Sequence, residues 1–151
     1  MPVTAVEPES VPETDTAPCR FGGVGVMLPV ALVVIAVDQL TKWWALERLD
    51  DDVIDVVWTL RFKLVRNSGA AFSLAEGLGP LLGVLAVVVV ILLMRFGRFV
   101  SSRATAVGLG LVLGGAVGNL VDRAFRGGDG FLGGHVVDFI DFQWWPVFNV
   151  A

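Results

Sequence analysis

The sequence has little of what most enzymes use for nucleophilic, redox or metal chemistry. Its 151 residues include one cysteine and one histidine. A single cysteine, Cys19, excludes an internal disulfide framework, and Cys19 and His135 form no cluster with metal-ligand spacing. No serine lies in a G-x-S-x-G context, and the glycine-rich stretch GGDGFLGG lacks the Lys-Ser/Thr of a phosphate-binding loop. The side chains left for chemistry are therefore carboxylates.

Charge is also scarce. Charged residues make up 17% of the chain and hydrophobic residues 55%, whereas soluble domains carry about 25% charged residues. The mean hydropathy is +0.74. These values favour a small integral membrane protein with one helical domain. The net charge of -4 argues against a nucleic-acid partner, and five tryptophans, ten phenylalanines and no tyrosine suit a protein with interfacial aromatic residues.

Hydropathy divides the chain into a tail and a membrane domain. Residues 1–20 are acidic and proline-containing, and they predict a disordered N-terminal tail. Residues 21–151 predict a membrane-embedded domain, because long uncharged runs recur in them. The predicted spanning helices cover about 21–46, 78–94 and 104–121, and a fourth is predicted to begin at about 146. Between the first two, apolar and polar residues alternate over about 58–66, which predicts a half-buried strand.

The distribution of arginine predicts the orientation of these helices. The short loop between the second and third helices carries Arg95, Arg98 and Arg103 and no acidic residue. The positive-inside rule places such a loop in the cytoplasm. The N-terminus is then cytoplasmic too, and the 47–78 connection and the polar region 119–142 lie at the outer face.

Three aspartates gather near the outer end of the third predicted helix, namely Asp122, Asp138 and Asp141. Polar residues this dense beside a membrane segment usually mark a functional site. Two nearby carboxyl groups cannot easily ionise together, so one holds a proton while the other can act as a general base. Such a pair can activate a water molecule and polarise a carbonyl group.

Several of these polar residues have an equally simple structural interpretation. Asp122 and Arg123 are consistent with an interfacial ion pair that caps a helix. Asp38 and Lys42 are four residues apart, so they share one helix face, and a structural pair is the better interpretation. Trp43 and Trp44, just after Lys42, are expected at the membrane interface.

The remaining polar candidates also allow ordinary roles. Asn67 and Gly69 are typical of a turn. Asn149 is consistent with a polar group that faces the helix bundle. Asp141 is expected to be solvated, and His135 is expected to be a loop residue.

Five short blocks of the sequence match one known family in its order. They are Asp38-Gln-Leu-Thr-Lys42, Asn67-Ser-Gly-Ala-Ala-Phe72, Gly114-Gly-Ala-Val-Gly-Asn-Leu-Val-Asp-Arg123, Val136-Val-Asp-Phe139 and Phe148-Asn-Val-Ala151. With these blocks, over roughly residues 25–151, the chain resembles the bacterial lipoprotein signal peptidases (signal peptidase II). One block alone would be weak, but five in order are specific.

The resemblance implies a fold and a place in the cell. The fold would be an all-α membrane protein, a four-transmembrane-helix bundle with the fourth helix truncated here, with a small extracytoplasmic β-sheet near residues 58–66. The protein would be a multi-pass component of the bacterial cytoplasmic membrane with its active site at the extracytoplasmic face. Its partners would be diacylglyceryl-modified prolipoproteins and membrane lipid.

The resemblance also implies an activity. The chain would be an intramembrane aspartic endopeptidase that removes signal peptides before the modified cysteine, with no metal or organic cofactor. Asp138 maps onto one catalytic aspartate, and the second is expected immediately after Ala151, outside this sequence. The expectation is therefore that this chain is truncated and inactive. Asp122 and Asp141 are not where the family motif has the second aspartate.

The resemblance assigns roles to further residues. Those that map onto the polar groups orienting the substrate are Asn67, Gly69, Asn119, Asp122, Arg123 and Asn149, and those taken as structural are Asp38 and Lys42. The competing hypothesis is a non-enzymatic membrane module, such as a proton-coupled carrier subunit with its carboxylates as relay groups. Carriers of this size usually contain internal repeats, and the sequence has none.

Overall fold

The computed structural model of the protein describes residues 22–50, 52–69, 78–128 and 130–151. The tail predicted over residues 1–20 lies outside the described residues. The elements, in chain order, are α1 (Val24–Arg48), β1 (Val53–Val57), β2 (Leu60–Asn67), α2 (Gly79–Gly97), α3 (Arg103–Phe125) and β3 (Val136–Asp141).

All three helices are long and apolar enough to cross a membrane. Large apolar side chains cover their outer surfaces; Leu32, Leu81 and Leu111 are 66%, 60% and 52% exposed. Such exposure is costly in water and ordinary in lipid. The chain is thus a multi-pass membrane protein, and the prediction of these three spanning helices is confirmed.

Glycines on α3 bring it against α1. A Cβ atom added to Gly110 would lie 2.7 Å from the carbonyl oxygen of Met27, and one added to Gly114 would lie 2.6 Å from the Cβ atom of Val34. Only a residue without a side chain allows backbones to approach so closely. The close contact makes α3 the shared wall of the site described below.

The two ends of the bundle differ. At one end, the backbone N–H of Gly23 donates to the carbonyl oxygen of Val100 at 3.1 Å, so the start of α1 lies against the loop between α2 and α3. At the other end, an antiparallel sheet of order β1-β2-β3 covers the last turns of α1. The buried residues of that contact are Ala45, Leu49, Val137 and Phe139. The sheet therefore sits at the end of the bundle opposite the arginine-rich loop.

One sequence-based prediction is wrong at the sheet end. Residues 146–151 are not helical: Phe148 exchanges backbone hydrogen bonds with Ile140 of β3, at 2.8 and 3.0 Å. Because these groups are already paired with a strand, they cannot begin a helix over these residues. The ring of Trp44 packs edge-on to Phe62 and Phe139, with ring centroids 5.5 and 6.3 Å apart, and the place of Trp43 and Trp44 at the membrane interface stays a prediction.

Candidate active site

Asp138 lies on β3, where alternate residues face opposite ways. Val137 and Phe139 pack into the apolar contact with α1, whereas Val136 and Asp138 line a cavity. This alternation follows from the pleat of a strand. It delivers one carboxyl group, 5% exposed, to the cavity wall.

Two asparagine amides hold the Asp138 carboxylate. Nδ2 of Asn67 donates to Oδ2 at 3.0 Å, and Nδ2 of Asn149 donates to Oδ1 at 2.7 Å. The orientation of each amide is set by a backbone N–H: Gly69 donates to Oδ1 of Asn67 at 3.0 Å, and Ala151 donates to Oδ1 of Asn149 at 2.8 Å. Because the amide oxygens are occupied in these Asx turns, both NH₂ groups face the carboxylate.

Burial raises the pKa of Asp138 above its ordinary value, and the negative charge of Asp122 raises it further. The hydrogen bonds from Asn67 and Asn149 and the positive charge of Lys42 lower the pKa, but they do not offset burial. A carboxyl group in this balance keeps a proton more readily than a solvated one and still has donors that stabilise its ionised form. That is the behaviour a member of a proton-sharing pair requires.

A buried ionic cluster lies between α1 and α3. Nζ of Lys42 is 2.9 Å from Oδ2 of Asp38 and 2.8 Å from Oδ2 of Asp122, and all three side chains are 0% exposed. Lys42 also donates to Oδ1 of Asn119 at 3.0 Å, and the same oxygen accepts from Asn149 at 3.1 Å. The predicted Asp38–Lys42 pair is present, and it is joined through Asn119 and Asn149 to Asp138.

Arg123 does not pair with Asp122, so that predicted ion pair is wrong. Its guanidinium donates to the carbonyl oxygens of Gly69 at 3.0 Å and Gly134 at 3.5 Å. Arg123 is 8% exposed and its side chain lines the same cavity as Asp138. It therefore gives the cavity a positive charge that two backbone carbonyls hold in place.

The cavity has a volume of about 320 Å³, at the lower end of the range for small-molecule sites. One part of its lining is polar and the other is made of small or apolar residues. The polar residues are Asn67, Asn119, Arg123, Asp138 and Asn149, and the others are Gly69, Leu82, Ala86, Ala116 and Val136. Such a lining suits a ligand with both hydrogen-bonding and apolar groups.

Asp141, three residues after Asp138 on β3, does not line the cavity. Asp141 is 4% exposed, so the expectation that it is solvated is wrong. Its Oδ2 is 2.7 Å from Nε of Arg61, and its Oδ1 accepts from the backbone N–H of Gln143 at 2.7 Å. Burial raises the pKa of Asp141, but these two hydrogen bonds and the positive charges of Arg61 and Lys63 outweigh burial, so the pKa lies below the ordinary value. Among the described residues, no three His, Cys, Asp or Glu side chains are grouped to hold a metal ion.

Two residues that sequence reasoning missed complete the cluster. Arg126 places Nε 2.6 Å from Oδ1 of Asp122, and Nε2 of Gln39 donates to the same oxygen at 3.2 Å. The Asp122–Arg126 pair had a usable signal, because residues four apart share a helix face. Gln39 lies within the Asp38–Lys42 block, but its contacts with Asp122 and Arg126 join it to residues more than 80 positions away, so no local pattern singled it out.

Comparison with known proteins gives consistent matches. A family model described as signal peptidase (SPase) II matches residues 30–151. The chain is 52% identical over 126 residues to a lipoprotein signal peptidase of Rhodococcus jostii, covering 81% of the chain and 62% of that relative. It is 45% identical over 152 residues to one of Mycobacterium tuberculosis, covering 99% of the chain and 75% of that relative.

A solved structure supports the same relationship. A bacterial membrane enzyme determined by the in meso method at 2.3 Å resolution superposes with a TM-score of 0.73 and 27% identity, covering 84% of the chain and 78% of that structure. The likeness extends from sequence blocks to the arrangement of helices and sheet.

Proposed function

Because the chain belongs to the signal peptidase II family, we propose that it is an intramembrane aspartic endopeptidase that removes signal peptides from prolipoproteins. It cuts the peptide bond before a diacylglyceryl-modified cysteine. The observation that carries the proposal is the setting of Asp138, a buried carboxyl group that faces a cavity and is held by two oriented amides.

The chemistry needs a second carboxyl group opposite Asp138. Asp122 and Asp141 are each engaged by an arginine, Arg126 and Arg61 respectively, so neither is free to share a proton with Asp138. The residue that follows Ala151 is the better candidate, because the backbone of Ala151 is tied to Asn149, whose amide contacts Asp138. An aspartate there would start beside the cavity.

The reaction then follows the logic of paired carboxyl groups. The ionised member takes a proton from water as the water oxygen bonds to the scissile carbonyl carbon, and the protonated member gives its proton to the carbonyl oxygen. Collapse of the tetrahedral intermediate breaks the C–N bond: the leaving nitrogen takes a proton from the protonated carboxyl group, and the ionised carboxylate takes a proton from one hydroxyl group of the intermediate as the new carbonyl forms. Proton count is conserved, and the pair ends in its starting form.

The polar lining orients the substrate in this proposal. Asn119 and Arg123 reach the cavity from α3, and Asn67 and Gly69 reach it from the end of β2. These residues and Asn149 can hold an extended peptide by its backbone. Asp122 acts indirectly: its Oδ2 accepts from the backbone N–H of Val137 at 3.1 Å, which fixes the residue beside Asp138.

The substrate class and the membrane orientation belong to the same proposal. Lipid chains on the substrate would lie in the outer leaflet and bring the scissile bond to the cavity. Arg95, Arg98 and Arg103, at the opposite end of the bundle, support a cytoplasmic position for that end. The N-terminus is then cytoplasmic, and the sheet and Asp138 face outward from the bacterial cytoplasmic membrane.

The test compares two extended chains that differ only in the side chain of the residue after Ala151. The sequence is continued after Ala151 by aspartate, or by asparagine, and then by the same apolar helix. Both are reconstituted and given a diacylglyceryl lipopeptide; an unlipidated peptide is the control. We expect cleavage only with aspartate and only of the lipopeptide. Equal cleavage by the asparagine form, or by the chain ending at Ala151, would show that the assigned pair is wrong.

A further inference from the structure

The cluster between α1 and α3 contains four charges that cancel. Asp38, Lys42 and Asp122 are fully buried, and the fourth charge comes from Arg126, whose side chain is 24% exposed. Two negative and two positive charges leave the cluster neutral. Arg126 lies just beyond the end of α3, three residues after the last motif residue, Arg123.

Arg126 also orients its neighbours. Its Nη2 donates to Oε1 of Gln39 at 3.1 Å. With the oxygen occupied, Nε2 of Gln39 faces the two carboxylates and donates to Oδ2 of Asp38 at 3.1 Å and to Oδ1 of Asp122 at 3.2 Å. One arginine therefore contacts Asp122 both directly and through the glutamine.

Removal of Arg126 would leave a net negative charge among fully buried groups. An unbalanced buried charge is among the most expensive defects in a protein. Among the described residues, Lys42 would then be the one cation left in an ion pair with either carboxylate. It also holds Asn119, which accepts from Asn149, so any shift of Lys42 reaches the amide on Asp138.

We propose that Arg126 is a positioning residue: it neutralises the buried Asp38–Lys42–Asp122 cluster and so keeps Asp122 anchored on the backbone of Val137 and Asp138 in its working place. The effect of Arg126 on cleavage rests on the proposed function. The effect of Arg126 on the protonation of Asp138 does not, because the charge of Asp122 acts on Asp138 with or without a substrate.

Among the described residues, few charged groups surround Asp138 and Arg126. Asp138 faces Lys42 from α1 and Asp122 and Arg123 from α3, while β2 and the segment after β3 present the neutral amides of Asn67 and Asn149. Arg126 itself faces the cluster, and His135 adjoins it by a backbone hydrogen bond of 3.4 Å. Loss of the Arg126 charge therefore makes the surroundings of Asp138 more negative, and its proton is held more tightly.

The experiment measures the Asp138 carboxyl by infrared titration in detergent, with the band assigned by its loss in Asp138→Asn. We expect Arg126→Gln to raise the titration midpoint by roughly half a pH unit and Arg126→Lys to leave it near the wild-type value. Arg48→Gln is the matched control, because Arg48 is an exposed residue in the last turn of α1 and loss of its positive charge should not move the midpoint.

A charge-balancing variant separates neutralisation from packing. Asp38→Asn added to Arg126→Gln restores a net charge of zero, so it should return the midpoint towards the wild-type value and recover thermal stability lost in Arg126→Gln. A packing role predicts the opposite, additive damage. An unchanged midpoint in Arg126→Gln, an equal shift in Arg48→Gln, or additive damage in the double variant would overturn the proposal. If Arg126→Gln does not fold, folding of the double variant would support neutralisation, and failure of the double variant to fold would contradict it.

Peptidase assays on the aspartate-extended chain supply the second measurement. Arg126→Gln should lower kcat about tenfold with little change in KM, and it should move the pH dependence of kcat to higher pH. Arg126→Lys should recover most of kcat. Absence of cleavage in every variant would contradict the proposed peptidase function, whereas the infrared midpoints would still decide the role of Arg126.

Discussion

Asn149 donates its amide to Asp138 at 2.7 Å, from a segment whose own backbone, at Ala151, fixes the direction of that amide. The last described residues are therefore part of the site. The same segment pairs Phe148 with Ile140 of β3, so the strand that carries Asp138 and the residues beside its carboxyl group form one hydrogen-bonded unit.

Asp138→Asn should abolish cleavage by the aspartate-extended chain while binding of the lipopeptide remains. Loss of an essential proton-transfer group lowers kcat by about 10³-fold or more. The measurement is single-turnover cleavage alongside lipopeptide binding. Asp141→Asn is the control: this carboxyl group is also buried, but it pairs with Arg61 and does not line the cavity. It should keep kcat and lose stability. Wild-type cleavage by Asp138→Asn would refute the assignment of Asp138 as a catalytic residue. If the protein were instead a proton-coupled carrier, the same substitution would abolish coupled transport and leave lipoprotein processing unchanged.

The two buried carboxyl groups of β3 should give stability opposite dependences on pH. The pKa of Asp138 is raised in the folded protein, so its contribution is complete below the unfolded value of about 3.9 and is lost as the pH rises through the folded value. The pKa of Asp141 is lowered, so its contribution is present above the unfolded value and is lost as the pH falls through the folded one. Unfolding in detergent across pH tests this. Asp138→Asn should remove the loss of stability at higher pH, and Asp141→Asn should remove the loss of stability at lower pH. If both substitutions changed the pH dependence of the free energy of unfolding in the same direction, the prediction would be contradicted.

Asn67→Ala and Asn149→Ala should each lower kcat by about 10- to 100-fold, because a hydrogen bond to a charged group contributes about 1.5–3 kcal/mol. Each substitution also removes a donor that lowers the pKa of Asp138, so the pH profile should move upward. The measurement is kcat against pH. Ser102→Ala is the control: it removes the N-cap of α3, which should cost about 1 kcal/mol of stability and leave the profile in place. An unshifted profile in both asparagine variants would count against the assigned contacts.

Gly118→Ala should destabilise the protein strongly and Gly108→Ala should not. A Cβ atom at Gly118 would lie 2.5 Å from Oδ2 of Asp38, inside the ionic cluster, whereas one at Gly108 meets nothing within 4 Å. Overpacking costs about 1–3 kcal/mol, and disturbing a buried ion pair adds to it. Alanine at Gly108 gains up to about 1 kcal/mol of helix propensity. Thermal unfolding of both variants measures the difference; equal midpoints would refute the close contact.

The parts of the fold visible in the sequence are those with a strong local pattern. Hydropathy located α1, α2 and α3, and alternation located β2, whose Phe62 and Leu64 pack against the sheet core. β3 was missed because it is buried on both faces and carries Asp138 and Asp141 among apolar residues, so no alternation of apolar and polar residues marks it. The extended path of Phe148 depends on a strand outside its own segment, which no local pattern reports.

The candidate site follows the same division. The motif blocks supplied Asp138 and the residues that surround it. The pairing of Asp141 with Arg61 joins positions 80 residues apart, so spacing could not reveal it and solvation was the wrong inference. Arg126 could have been found from its four-residue spacing to Asp122, but its second contact, with Gln39, needed the folded structure.

The alternation along β3 couples correct pairing to catalysis. A slip of one residue would turn Asp138 into the apolar contact with α1 and send Phe139 into the cavity. The misaligned form would bury a carboxylate without donors and expose an aromatic ring, so it would be disfavoured before any substrate arrived. The hydrophobic residues on either side of Asp138 therefore stabilise the one register in which its carboxyl group faces the cavity.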